Sequence, residues 1–531
     1  VTATLGGTAQ LVGAGLRRDR WTLVGWITGL AVVTMVSVRA TLPLYPTVAE
    51  RRSAAAAVNA SAGTVALFGR ITDLSSPGAL SLYKMSGFGG IFVAMLAILL
   101  VVRHTRADED AGRSELLGAS GAARSAPVAA ALLICLVAMV LLAVVTSIGL
   151  ILAGLGSSGA VAFAAEWAGL GLVFAALAAL GTQVASSARG AIRIAAVAVG
   201  IAYVLRAVGD VGPAWLHWLT WTSPFGWELA VGAAQGDHWW VLGVSLGVAA
   251  AGAAGALAIA DRRDLGAGLF EASAGPPSAG RRLREVVGLT WALERTSLLV
   301  WSLAFFFYGA LLGGFVTGAG RFLPSSSSRD LIYRLGGQRV LSNAFLAAEL
   351  SIAAVLAAGF AISVVLRLRA EEVEGHVEAV LATATSRRRL LGSYLAVALG
   401  GSAVLMLLVA LGAGLAYGIS SRDLGHVGPV VVAGLVQIPA VWVMAGIAAL
   451  LVGSAPRLAV IAWVVLALAI ALGEIGPLLH LEHWLMDLSP FGQVPRLPGG
   501  TFSWVPLGGL VVVSLMFLVV GDAGYRRRDI G

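Results

Sequence analysis

The 531-residue chain has one cysteine, Cys135, and one lysine, Lys84. A lone cysteine inside an apolar run excludes an internal disulfide and a cysteine-based metal site, and reads as a small packing residue. A lone lysine preceded by Tyr83 excludes a Gly-x-x-x-x-Gly-Lys-Ser/Thr phosphate loop, because the lysine of that loop must reach the phosphates. Charge is scarce as well, at 12% of residues. No Ser-His-Asp set, His-Glu-x-x-His motif or carboxylate pair in a soluble setting is found, so neither a catalytic centre nor a metal site is expected. Val1 to Arg20 lacks a charged-then-apolar start and a small-residue cleavage site, so the first span is expected to serve as its own insertion signal.

What the chain does have is apolar length. Hydrophobic residues make up 58% and mean hydropathy is +0.89, more than one soluble core could hide. Runs such as Ile91 to Val102, Val128 to Leu155 and Val430 to Val452 approach or exceed the length that crosses a bilayer. Strand-like alternation is absent, so the spans are expected to be helices and the fold an all-α polytopic membrane protein. Twelve spans are placed at about 22–42, 84–102, 126–154, 162–183, 191–208, 239–260, 297–317, 345–366, 389–417, 428–452, 456–474 and 503–521. Of the 36 Lys and Arg residues, 24 share the side of the termini, which predicts cytoplasmic termini in a cell membrane. The net charge of +8 follows from that bias and is not read as a nucleic-acid signal.

The chain is also written twice. Arg106-Ala107-Asp108-Glu109-x-x-Gly112-x-x-Glu115 returns as Arg369-Ala370-Glu371-Glu372-x-x-Gly375-x-x-Glu378. Gly209-Asp210-Val211-Gly212-Pro213 returns as Gly473-Glu474-Ile475-Gly476-Pro477. His217-Trp218-Leu219-x-x-x-Ser223-Pro224-Phe225-Gly226 returns as His483-Trp484-Leu485-x-x-x-Ser489-Pro490-Phe491-Gly492. Arg262-Arg263-Asp264-Leu265-Gly266 returns as Arg527-Arg528-Asp529-Ile530-Gly531, and all four shifts lie between 263 and 266 residues. Two six-span halves are expected, residues 1–265 and 281–531, joined by a linker at 266–280 that holds Pro276-Pro277. Each half opens on an amphipathic stretch, Leu5 to Arg20 and Arg281 to Arg295, suited to lying in the headgroup plane.

Two of the repeated elements are candidate functional sites. The segment before the sixth span of each half combines helix-breaking Gly and Pro with interfacial aromatics. It fits either a helical hairpin dipping back into the membrane from outside or an interfacial loop pinned by an aromatic belt. Its residues are His217, Trp218, Ser223, Pro224 and Phe225, and His483, Trp484, Ser489, Pro490 and Phe491. The histidines read as interfacial hydrogen-bonding groups, since no second ligand recurs at metal spacing. The Arg-acid-Glu element lies between the second and third spans, with Glu, Gly and Glu at helical spacing on one broad face. A glycine inside a helix costs about 0.5–1 kcal/mol relative to alanine, so its recurrence predicts close approach by another backbone. One copy alone would read as a solvated loop. Two copies kept in register fit a docking surface for two copies of one cytoplasmic partner.

These motifs make the chain resemble the membrane subunit of a type-2 ABC exporter, in the fused twelve-span form of actinobacterial drug and polyketide-antibiotic efflux permeases. The resemblance covers the whole chain and is most specific at 103–125, 366–389 and the paired Ser-Pro-Phe-Gly segments. It implies that the loop is a coupling helix seated in a separate ATP-binding subunit, with Arg106, Asp108, Glu109, Gly112, Glu115, Arg369, Glu371, Glu372, Gly375 and Glu378 at the contact. It also implies that the segment before the sixth span is a re-entrant hairpin, and that Mg-ATP binds in two partner subunits while this chain takes no cofactor. Asp108 and Ala111 stand where the second copy has Glu371 and Glu374, so the two docking sites need not be equivalent.

Arg39, Glu166, Arg206, Asp210, Glu349 and Glu474 all fall near outer span ends, which leaves the span centres nearly charge-free and points to a lipophilic substrate. Phe305, Phe306, Phe307 and Tyr308 are candidates for a wall of its path. A proton-coupled antiporter of the major facilitator type is the alternative, and a non-transporting membrane scaffold would leave the duplicated segments unexplained. Charge reversal at Glu109 and Glu372 is expected to abolish assembly with the ATPase or ATP-coupled efflux.

Overall fold

The computed structural model describes residues 6–60, 62–113, 123–263, 280, 283, 285–316, 337–470, 472 and 482–528. All regular elements among them are helical, and eleven helices are long and apolar enough to cross a membrane. The chain is an all-α polytopic membrane protein. Of the span expected at about 456–474, the described part is a ten-residue apolar helix, Ile461–Ile470. Contacts divide the chain into two units, Val1–Gly275 and Pro276–Gly531. Most of the expected linker, and most of the outer segment at 318–344, lie outside the described residues.

The first unit opens with α1 (Thr8–Thr41), followed by the short helices α2 (Val48–Ala60), α3 (Ala62–Phe68) and α4 (Pro77–Lys84). A π-helical turn, Met85–Gly89, joins α4 to α5 (Gly90–Arg103), which leads to α6 (Arg106–Asp110). Then come α7 (Ala126–Leu152), α8 (Ser157–Val184), α9 (Ala188–Val211), α10 (Trp218–Trp221), α11 (Pro224–Val231) and α12 (Trp240–Arg262). At the centre stands α8, packed on α5, α7, α9, α11 and α12. Its run of Ala and Gly lets five neighbours approach at backbone range, where helix association in lipid gains most from van der Waals packing.

The second unit contains α13 (Val286–Val316), α14 (Gly337–Val373), α15 (His376–Leu381), α16 (Arg387–Ser421), α17 (Val427–Leu435) and α18 (Ile438–Ser454). It ends with α19 (Ile461–Ile470), α20 (His483–Met486) and α21 (Trp504–Arg527). Its most extensive pairings are α13 on α16 and α18 on α21. Both use glycine where backbones meet. A Cβ on Gly309, Gly313 or Gly412 would strike the facing carbonyl of Val409, Ala413 or Phe306, and one on Gly453 would strike that of Gly521.

One expectation needs correction. Leu5 to Arg20 does not form a separate surface helix: α1 runs unbroken for 34 residues, so Thr8 to Arg20 makes the first turns of the first span. No proline interrupts the junction, and Asp19, within that stretch, is fully buried. Likewise α13 starts at Val286 and carries Arg295 within it.

The glycine interlock generates a matched pair of variants. Gly313→Leu is expected to destabilise the second unit by about 1–3 kcal/mol through overpacking. Gly314→Leu, whose added Cβ would meet nothing within 4 Å, is expected to be near neutral; thermal unfolding of the two variants in one detergent compares them.

Candidate functional site

Two separately repeated motifs meet in space at the arginine-rich end of each unit. In the first, Glu109 on α6 lies 3.0 Å from the guanidinium of Arg106 and 2.9 Å from that of Arg263, just beyond the end of α12. Arg106 is buried, and its Nε donates to the carbonyl of Thr182 at the end of α8 at 2.8 Å. In the second unit, Glu372 lies 3.0 Å from Arg369 and pairs with Arg528, just beyond the end of α21. The Arg528 guanidinium stacks on the ring of Tyr525, 4.8 Å from its centroid. Each unit thus builds one Arg–Glu–Arg triad between the segment at the close of its second span, the short helix α6 in the first and the last turns of α14 in the second, and the end of its last span. In both, the carboxylate is held where leaving one guanidinium unpaired would be costly.

The glycine of the motif does something other than the sequence predicts. Gly112 and Gly375 have φ of +71° and +78°, and an added Cβ would meet nothing within 4 Å at either. They are not helix-interior residues crowded by another backbone. Each ends a helical stretch, its N–H bonded to the carbonyl of the triad glutamate at 2.9 Å (Glu109) or 3.0 Å (Glu372). The recurrence reflects a left-handed conformation that side chains disfavour, and Glu, Gly and Glu therefore do not share one helix face.

The remaining motif residues divide by exposure. Asp108 pairs with Arg18 of α1 at 3.0 Å and with Arg113 at 2.7 Å. Glu371 accepts from His376 at 2.8 Å and lies 3.5 Å from Arg367. Gly112, Glu374, Gly375, His376 and Glu378 are exposed, while Glu115 lies outside the described residues. The copies differ at this turn: Ala111 and Arg113 in the first stand where the second has Glu374 and His376.

A second set of ties at this end escaped sequence reading. Buried Asp19 on α1 meets His104 at 2.5 Å and Arg103 at 3.0 Å, beside the end of α5. Buried Glu294 on α13 meets Arg367 of α14 at 3.0 Å. The available signal was an acid beside arginine near the end of each basic amphipathic stretch, Arg18-Asp19-Arg20 and Leu293-Glu294-Arg295.

At the opposite end, the Ser-Pro-Phe-Gly copies make the same contact. Ser223 is fully buried and donates to the carbonyl of Ala202 on α9 at 2.7 Å, and its oxygen also accepts from the N–H of Phe225 at the start of α11. Ser489, equally buried, donates to the carbonyl of Ala469 on α19 at 2.9 Å. Ala202 precedes the end of α9 by nine residues, about 13 Å at 1.5 Å per residue. The first copy therefore turns back along the helix that delivered it. Pro224 starts α11, buried Phe225 lies against Phe174 and Tyr203 with centroids at 5.4 Å, and Phe491 and Pro490 are buried in the second copy. His217 and Trp218 are exposed, as is Trp484. The side chain of His483 lies outside the described residues.

Two expectations about the spans change. Glu166 is buried nine residues inside α8, because that helix begins at Ser157 and not near 162; it accepts from Ser86 at 2.8 Å. Glu228 on α11, also buried, presses its carboxylate against Gly90 and lies beside the Trp167 indole. The interior of the first unit is thus less charge-free than its span pattern implied. The aromatic run on α13 does not form one wall: Phe305 is core, Phe307 is 61% exposed and Tyr308 donates to Glu349 at 2.9 Å. Phe306 is half-buried, its carbonyl at the crossing with Gly412.

Glu109→Gln and Glu372→Gln each remove the carboxylate that two guanidinium groups share, which is expected to cost about 3 kcal/mol where the pair is buried. Faster hydrogen exchange should then appear at 103–113 for the first and 369–381 for the second, with the other unit unchanged. Ser223→Ala and Ser489→Ala are expected to cost about 1 kcal/mol each, read as faster exchange in the segment that precedes each serine.

Residues 283–526 match the family described as the C-terminal domain of the multidrug efflux system permease Rv1217c. The multidrug efflux system permease protein Rv1217c of Mycobacterium tuberculosis is 40% identical over 527 residues, which cover 99% of this chain and 95% of that protein. Buried ion triads, returning serine segments and apolar helices are therefore features of a membrane permease, and the chain belongs to the family of that multidrug efflux system permease.

Proposed function

We propose that the chain is the membrane-spanning subunit of an ATP-driven exporter of lipophilic compounds, and that two separate ATPase subunits dock on its two repeated loops. The observation that carries this reading is the duplicated corner: in each unit a triad ties the close of the second span, through α6 or the last turns of α14, to the end of the last span, and a left-handed glycine presents an exposed turn beyond it. A partner pressing on that turn would act on the last span through the triad. Mg-ATP would bind in the partners, consistent with the missing phosphate loop, and the arginine bias would place the loops and both termini in the cytoplasm.

The returning Ser-Pro-Phe-Gly segments, held to α9 and α19, would then form the outer gate. Alternating access requires that the partners bind the two states of the permease with different affinity. The relative's description as the permease of an efflux system does not favour the alternative, a self-contained proton-coupled antiporter.

The triad geometry sharpens which variants test docking. Glu109 and Glu372 are held inside their units, so reversing them disrupts the corner itself. Glu374 and Glu378 point outward and leave the triad intact. Glu374→Lys with Glu378→Lys is expected to abolish copurification of an ATPase with the permease and to reduce ATP-dependent efflux at least tenfold, the loss that about 1.4 kcal/mol of binding would give, with thermal stability unchanged. Normal copurification and efflux in a folded variant would exclude this face as the docking surface.

A further inference from the structure

In the second unit α17 and α18 would form one continuous span but for a break at Val436 and Gln437. Pro439 in the first turn of α18 accounts for it, because proline has no N–H for the carbonyl four residues earlier. Val436 and Gln437 keep helical φ and ψ, so the span is kinked and not unwound, and a kink that frees a backbone carbonyl within a membrane segment is tolerated where it is buried in protein or lines a cavity. Both conditions meet here. A cavity of about 580 Å³ opens beside the break, within the range of small-molecule sites. Gln437 lines it, is 4% exposed, and its Oε1 has no hydrogen-bond partner.

The other walls give the chemistry. Ile470 and Phe491 are apolar, Asn343 and Ser351 add two neutral polar groups, and the charged lining residue, Arg496, is exposed. The first unit has a different residue at the matching place. Aligned on Ser-Pro-Phe-Gly, the lining residue Val494 takes the place of Glu228. Glu228 packs on Gly90 with an added Cβ placed 2.6 Å from its Oε2, and Trp167 packs on neighbouring Gly89. Divergence between the copies has put a carboxyl in one unit where the other has an aliphatic side chain.

We propose that this cavity binds an uncharged amphiphile with an apolar body and one hydroxyl or amide N–H, which donates to Gln437 Oε1 when the side-chain amide, whose oxygen is otherwise enclosed, turns to face the cavity. The ligand supplies the bond that the buried carbonyl oxygen lacks, and the apolar walls take up the body. Two sources share this chemistry, a hydroxyl-bearing membrane lipid and a compound on its way out. The inference goes beyond the export reading, because the site belongs to this chain alone and is tested without any ATPase.

Equilibrium binding of 1-pyrenebutanol and of its methyl ether, which has no donor, to delipidated purified chain tests the assignment. The alcohol is expected to bind one per chain and about tenfold more tightly than the ether, the effect of one hydrogen bond worth about 1.4 kcal/mol. Gln437→Leu, similar in shape, should remove that preference while keeping ether binding, which also reports that the variant is folded. Ser351→Trp should fill the space and abolish binding of both probes. A lipid that copurifies from membranes, identified by mass spectrometry and displaced one for one by the alcohol, assigns the site to lipid. Uptake of the alcohol by a chain that copurifies with no such lipid assigns it to a mobile compound. Equal binding of alcohol and ether to the unmodified chain, or unchanged alcohol affinity in both variants, overturns the proposal.

Discussion

A carboxylate set between two arginines, mostly removed from water, is expensive to assemble and more expensive to break. This chain makes that arrangement twice, with Glu109 and Glu372 as the central groups. The first and last elements of each triad are separated in sequence by a whole run of spans, so the pairing closes the unit at its arginine-rich end. The remaining features of that end depend on it. The left-handed turn at Gly112 or Gly375 starts from the carbonyl of the triad glutamate, and the neighbouring acid, Asp108 or Glu371, is free to bond outward to Arg18 or His376.

Self-comparison of the sequence made the two halves, the paired motifs and most of the spans legible, because apolar length and repetition survive in the residue string. What it hid has physical causes. The role of the motif glycine depends on φ, which a residue string does not record, and a conformational demand looked like a packing demand. The continuity of α1 was hidden because a basic amphipathic stretch has the same composition whether it lies flat on a membrane or extends a span. Glu228 was missed for a different reason: the second copy has Val494 there, so a search built on what recurs passes over what one half alone has acquired.

The divergences carry as much meaning as the matches. Within the second unit, glycine-rich faces bring α13 against α16 and α18 against α21 at backbone distance, while the kinked helix beside α19 leaves space. The first unit has an unbroken central helix, α8, whose buried Glu166 and Trp167 pack on Ser86 and Gly89. Two copies of one ancestral half have kept the same ties at both ends and changed what lies between them. A permease built this way has a common frame whose two halves enclose different spaces, one beside Gln437 and one between Trp26 and Phe92.

The serine contacts show how such a frame could move. The carbonyl of Ala202 sits inside a continuous helix, so its second lone pair receives the Ser223 hydroxyl while the first serves the helix. Letting go orphans only the O–H of one serine, which water can accept, while the Phe225 N–H keeps its bond to the serine oxygen and no backbone group is stranded. The fastening therefore has a low exit cost and a well-defined home position, the properties of a detent rather than a weld.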